Sequence, residues 1–141
     1  MPNPVAATEA SLRGGLEHFA DHCAICHDND GSGKGELGQG LYPKPPDLRS
    51  SRTQALRDGE LFYIIENGIR FTGMPAFGDA HDADDGWKLV QFIRHLPKLT
   101  ERELADMKRL NPTAPAEREE ERGAPHVDAP AAKPHTHKCP K

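Results

Sequence analysis

The chain has 141 residues, enough for one domain but with little surface to spare for a second, and only 35% of them are apolar and 6% aromatic. With 13 Gly and 13 Pro, that is thin material for a close-packed core unless a bound group helps fill the interior. A net charge of -4 excludes nucleic-acid phosphates as a natural partner, and no run approaches the roughly 18 apolar residues that cross a bilayer.

In chain order, Met1-Pro2-Asn3-Pro4 lacks the positive and apolar regions of a secretory leader, and residues 1–8 read as a flexible N-terminus. Leu12, Gly15, Leu16, Phe19 and Ala20 recur at helical spacing, so a first helix is predicted over 9–22, with Thr8 or Ser11 able to cap it. Gly and Asp dominate from Asp28 to Gly40, and Tyr42-Pro43-Lys44-Pro45-Pro46-Asp47 excludes regular helix. A loop of this length is expected to be functional or to lie against a ligand.

A middle helix is predicted over 58–68, where Asp58 can cap, Leu61, Ile64 and Ile65 form a stripe, and Gly68 can end the turn. Residues 69–81 read as loop around Gly73-Met74-Pro75, and His81, in an acidic turn, is expected to be exposed. Trp87, Val90, Phe92, Ile93 and Leu96 mark a helix over 84–96, ended by Pro97. Thr100-Glu101-Arg102-Glu103 has the form of a capping box and opens a further helix within 100–112, on which Leu104, Met107 and Leu110 share a face. Met107 is expected to be packing. Residues 113–141, rich in Ala, Pro, Glu and Lys, read as a disordered tail. No strand is needed, and the fold class is all-α.

The chemistry concentrates in Cys23-Ala24-Ile25-Cys26-His27. A C-x-x-C-H run reads as c-type haem attachment: each thiol can add to a haem vinyl group, and the adjacent imidazole serves as an axial iron ligand. That ligand's other ring nitrogen normally donates to a carbonyl, which the 42–46 loop is placed to supply. A thioredoxin-like pair, half a zinc site and a plain disulfide are the competing readings. The first lacks its βαβ context, and the second lacks a second ligand pair in a fixed position. For the sixth iron position Met74 is the candidate, because its Gly-Met-Pro loop offers no helical stripe for it to join.

Together these segments resemble class I c-type cytochromes, monohaem proteins with His/Met ligation. The resemblance covers about 9–99 and rests on Gly15-x-x-x-Phe19-x-x-x-Cys23, Cys23 to His27, Gly73-Met74-Pro75-Ala76-Phe77-Gly78 and Val90 to Leu96. It implies a cytochrome c-like fold of three to four helices around one covalently bound haem c, with Gly15 and Phe19 against Phe92 or Leu96. Cys23 and Cys26 would attach the haem, His27 and Met74 would ligate its iron, and Tyr63, Arg70 and Trp87 are candidate haem contacts. The implied function is a soluble periplasmic one-electron carrier rather than an enzyme, with its leader removed from the precursor.

Two other functions stay open. His126, His135, His137 and Cys139 in the tail suit a copper or zinc carrier or sensor, and an iron with a displaceable sixth ligand suits a gas sensor. Residues 1–99 hold ten Lys or Arg against fourteen Asp or Glu, so redox partner proteins with basic docking patches are expected. A monomer is expected, with Cys139 offering a disulfide dimer.

Overall fold

A computed structural model describes residues 1–112, so the expectations placed on His126, His135, His137 and Cys139 lie outside the described residues. Among these residues there are α-helices and two short 310 turns but no strand. Helix α1 (Glu9–His22) starts where Thr8 and Ser11 cap each other: the Ser11 amide donates to Thr8 Oγ1 at 3.1 Å and the Thr8 amide to Ser11 Oγ at 2.9 Å. Its buried face carries Gly15, Leu16, Phe19 and Ala20. Four further helices matter here: α2 (Ala24–His27), α3 (Ser51–Gln54), α4 (Asp58–Asn67) and α5 (Ala83–His95). The last begins at Asp82, whose carboxylate accepts from the Asp85 amide at 3.1 Å.

α1 packs chiefly against α5. The contact is close because Gly15 has no side chain: a Cβ there would lie 2.4 Å from the Lys88 carbonyl oxygen and 2.7 Å from Phe92 Cβ. One turn on, the Phe19 and Phe92 rings meet at 5.2 Å and 54°, a tilted aromatic pair in the buried core. α4 joins the other side of α5 through Phe62, stacked on Trp87 at 4.0 Å. Arg94 holds the approach to α4, donating to Asp58 Oδ1 at 2.8 Å, to the Gln54 carbonyl at 2.7 Å and to the Leu56 carbonyl. Those carbonyls end short segments that would otherwise lack partners.

Several details differ from the sequence reading. Residues before α1 do not trail free: Asn3 Nδ2 donates to the Trp87 carbonyl at 3.0 Å, and Gln91 Nε2 donates to that of Val5 at 2.7 Å. Asp58 is the first residue of α4 and Arg57 its cap, because Glu60 accepts from the Arg57 amide at 2.7 Å while Asp58 is drawn to Arg94. His81 is enclosed, its side chain 3% exposed, because α1 and α4 cover it.

Helix α6 (Glu101–Leu110) is part of the packed body. Met107 is fully buried, Arg13 meets Asp106 at 2.9 Å, and Asn111 Nδ2 donates to Asn29 Oδ1 at 3.0 Å, two residues after His27. Glu103 closes the capping box by accepting from the Thr100 amide at 2.9 Å and pairs with His95 at 2.9 Å. Burial alone would raise its carboxyl, but the Thr100 amide and the His95 ring outweigh that and hold it below the ordinary 4.5. A depressed folded value adds stability that is present above about pH 4.5 and lost as pH falls through the folded value. Glu103→Ala is therefore expected to cost about 1 kcal/mol at neutral pH. Thermal melts at stepped pH should show the gap to wild type closing below 4.5.

Candidate functional site

Cys23 ends α1, its amide donating to the Phe19 carbonyl at 2.9 Å, and the chain turns directly into the single turn of α2. The amides of Cys26 and His27 both return to the Cys23 carbonyl, at 3.1 and 2.9 Å. Positions i, i+3 and i+4 of one helical turn share a face, so Cys23, Cys26 and His27 present two thiols and an imidazole side by side. Such a short helix leaves its last carbonyls without partners. The Gly-rich loop supplies them: Leu37 N–H donates to Ile25 O at 3.0 Å, Gly35 N–H to Cys26 O at 3.1 Å, and Gly33 N–H to His27 O at 2.8 Å. The long loop between Asp28 and Ser50 is therefore the outer wall of the Cys-x-x-Cys-His turn.

Both cysteines are free thiols. Burial, with a smaller contribution from Cys26, pushes the Cys23 thiol up to about 12, and burial raises Cys26 as well. Thioredoxin-type pairs need a lowered thiol pKa to generate a nucleophilic thiolate, so this pair is set up against that chemistry. His27 is buried, which lowers its pKa, while the Pro46 carbonyl acts in the opposite sense as a backbone acceptor. That acceptor stands short of ordinary hydrogen-bond geometry, because Nδ1 is enclosed without a formed partner. The carbonyl comes from the 42–46 segment, as the sequence suggested.

The second half of the site is the loop after α4. Gly68, at φ 68°, ends the helix, and the Ile69 amide reaches the Met74 carbonyl at 3.2 Å. Thr72 Oγ1 accepts from the Met74 amide at 3.1 Å, and Phe77 and Gly78 donate back to the Ile65 and Glu66 carbonyls at 3.0 and 3.1 Å. Met74 thus sits half-buried in a loop tied to α4 at both ends. The two loops meet where the Leu41 side chain covers Gly73, at 2.6 Å from where a Cβ would stand.

Of the other sequence candidates, Tyr63 and Arg70 lie exposed around the Met74 loop, whereas Trp87 is a core residue stacked on Phe62. Residues that the sequence reading passed over are Ile25, Leu37, Tyr42, Ile69 and Phe71, all exposed, Phe71 at 99%. Their only signal was being apolar, Ile25 within the Cys-x-x-Cys-His turn and the others in loops. Ile25 lies in α2 and Leu37 in the loop that caps it, while Tyr63 lies on α4 and Ile69 and Phe71 in the loop that holds Met74. Exposed apolar side chains gathered in this way mark a surface shaped for an apolar partner. A haem, which is a flat apolar macrocycle with two vinyl groups, fits the residues present: two unionised thiols on one face, an imidazole with an orphaned inner nitrogen, and apolar flanks.

Comparison with known proteins agrees. Residues 10–93 match the family model described as cytochrome c oxidase, cbb3-type, subunit III. The quinohemoprotein alcohol dehydrogenase ADH IIB of Pseudomonas putida is 30% identical over 80 residues, which is 57% of this chain and 10% of that protein. A chain of a reducing HAO-like protein complex from Kuenenia stuttgartiensis superposes with a TM-score of 0.61 at 22% identity, covering 66% of this chain and 46% of that one. The chain thus spans about a tenth of the curated relative and under half of the solved chain, and the latter speaks for the fold alone. Among the described residues, no helix is long and apolar enough to cross a membrane.

Proposed function

The chain belongs to the family described as cytochrome c oxidase, cbb3-type, subunit III, a c-type cytochrome family, and on that basis we propose that it is an exported, periplasmic one-electron carrier holding a single haem c. The observation that carries this reading is the one-turn α2, which lines up Cys23, Cys26 and His27 and has its carbonyls capped by the 31–37 loop. The haem, when bound, supplies reversible one-electron exchange at its iron. In this reading Cys23 and Cys26 each form a carbon–sulfur bond to a vinyl group, the thiol hydrogen going to the neighbouring carbon. His27 would give one ring nitrogen to the iron, with the other donating a hydrogen bond to the Pro46 carbonyl and so fixing the tautomer. Met74 would supply a thioether as the second iron ligand, and its loop, tied to α4 at both ends, would keep that weak ligand from drifting away.

The remaining side chains exclude water and set the contact with partners. Ile25, Leu37, Ile69 and Phe71 would cover the macrocycle, and Tyr63 and Arg70 would contact the haem from the Met74 side. Trp87 contributes through the core, by holding α4 on α5. Donor and acceptor proteins meet a mildly acidic domain, and small, wet contacts of the electron-transfer kind suffice. No bond of a substrate is made or broken. That one relative is named a quinohemoprotein dehydrogenase supports a relay role for this domain within oxidation chemistry.

Met74→Ala tests the axial assignment. The variant is expected to lose the weak far-red band of methionine-ligated ferric haem, to gain carbon monoxide binding, and to show a lower potential within the roughly 0.8 V that axial ligation spans. An unchanged spectrum and potential would rule Met74 out. Ready carbon monoxide binding by the unmodified protein would favour the gas-sensing reading instead.

A further inference from the structure

Three histidines outside the haem face gather where α1, α4, the 75–82 loop and α5 meet. His18 and His22 stand one turn apart on α1 with their rings stacked at 6.0 Å, and His81 lies 6.0 Å from His18. Two carboxylates stand behind them. Asp85 Oδ1 is 3.2 Å from His18 Nε2, and Glu66 Oε1 is 3.4 Å from His81 Nε2. The Glu66 carboxylate has room because Gly78 and Gly86 flank it; a Cβ on either would come within 2.9 or 2.6 Å of its oxygens.

The polar bookkeeping at this junction is incomplete. His18 Nδ1, both ring nitrogens of His81 and Glu66 Oε1 are all enclosed without a hydrogen bond, although the His81 side chain is only 3% exposed. Buried polar groups are nearly always satisfied, and a cluster that is not calls for a water or an ion. The pattern favours an ion. A metal-bound imidazole turns its second nitrogen to a carboxylate, and here Nε2 of His18 lies 3.2 Å from Asp85 and Nε2 of His81 lies 3.4 Å from Glu66 without a formed hydrogen bond, while the Nδ1 atoms of both have no partner.

We infer that His18, His22 and His81 form a binding site for one divalent transition-metal cation of the zinc or copper class, oriented by Glu66 and Asp85. Imidazole donors select these metals. Metal–nitrogen bonds of about 2.1 Å put two ligating ring centres about 5–6 Å apart, which the ring spacings already approach. The ring nitrogens of the three histidines do not all lie within 4.8 Å of one another, so a shared ion requires them to turn about χ2, a broad and soft torsion for histidine. Lys88 Nζ, 3.3 Å from Asp85, keeps that carboxylate as an outer partner. Asp82 and Asp84, both exposed, are different: they serve α5, Asp82 capping it and Asp84 pairing with Lys88. An ion at the imidazoles would tie α1 to the segment that follows Met74, because His22 also packs on Phe77 at 5.8 Å. The site owes nothing to the haem assignment.

The test uses the full-length haem-loaded protein, titrated with Zn2+ by calorimetry against a competing chelator. Tail donors are removed from the background by His126→Ala, His135→Ala, His137→Ala and Cys139→Ser. That protein is expected to bind one equivalent. His18→Ala or His81→Ala should abolish binding, and Glu66→Gln should weaken it about 10- to 100-fold, the usual effect of an outer-shell partner. His22→Ala, at a half-exposed position, decides the matter if a buried variant fails to fold; it too should lose the site while keeping the haem spectrum. Absence of Zn2+ binding in the tail-substituted protein overturns the inference. So does undiminished binding in folded His18→Ala, His22→Ala and His81→Ala proteins.

Discussion

Gly15→Val is expected to lower the melting temperature by at least about 10 °C, whereas Gly14→Ala, one residue away on the same helix, should leave it unchanged or slightly raised. The difference lies in what each new side chain meets. At Gly15 the first added carbon would sit 2.4 Å from the Lys88 carbonyl oxygen and 2.7 Å from Phe92 Cβ, and the backbone of α5 has no way to step aside without moving Leu89, Val90 and Phe92 out of the core. Overpacking of a rigid core costs about 1–3 kcal/mol and occasionally more. With backbone as the obstacle, about 3 kcal/mol is the reasonable floor, a large share of the roughly 5–15 kcal/mol that holds a domain together. At Gly14 the nearest atom is Lys88 Cδ at 3.1 Å, the far part of a flexible side chain. Alanine there gains about 1 kcal/mol of helix propensity. Thermal melts of the two haem-loaded variants check this directly. Equal melting temperatures would mean that α1 and α5 do not pack as described.

That contact was legible in the sequence only through the family resemblance, since nothing about Gly15 by itself says that Phe92 lies opposite. What a sequence displays well is local chemistry. Thr8 and Thr100 announce helix starts because a cap is satisfied within three residues, and both form capping boxes. The Cys-x-x-Cys-His turn is equally local: its meaning lies in the spacing of five residues. What stayed hidden depends on distant partners. The four residues of α3 are too few to show a period, and they are held by Gln54, whose amide bridges the Leu48 and Ile93 carbonyls at 2.8 and 3.0 Å. The Leu41–Gly73 contact joins two loops that no periodicity describes. His81 was misread for the same reason: its acidic neighbours suggest solvent, but Gly78 and Gly86 let the segment lie close against Glu66, where α1 covers the ring. Local composition reports what a residue prefers. Burial is decided by what packs over it.

The Cys23→Ala, Cys26→Ala double variant is expected to yield all of its haem to acid–acetone extraction, while each single variant keeps it through one remaining thioether. α2 holds the two thiols on one face whether or not a haem is attached, since its hydrogen bonds are all backbone, so neither substitution disturbs the Cys23–His27 or Gly35–Cys26 bonds. Ala fits where Cys stood with only a small loss of packing around position 23, which touches the core from its edge. The double variant therefore keeps the shape of the site and the His27 ligand but loses the bond that makes binding irreversible. Free haem then obeys mass action, and occupancy depends on its concentration. With haem gone, Ile25, Leu37, Ile69 and Phe71 are left facing water, so the protein should also melt earlier and bind apolar dyes. His27→Ala separates attachment from ligation: its haem should resist extraction and yet show an altered iron spectrum. The pyridine haemochrome spectrum reads attachment, because saturating a vinyl group shifts its bands, and the spectrum of the native ferric protein reads ligation. A double variant whose haem still resists extraction would remove Cys23 and Cys26 from the site.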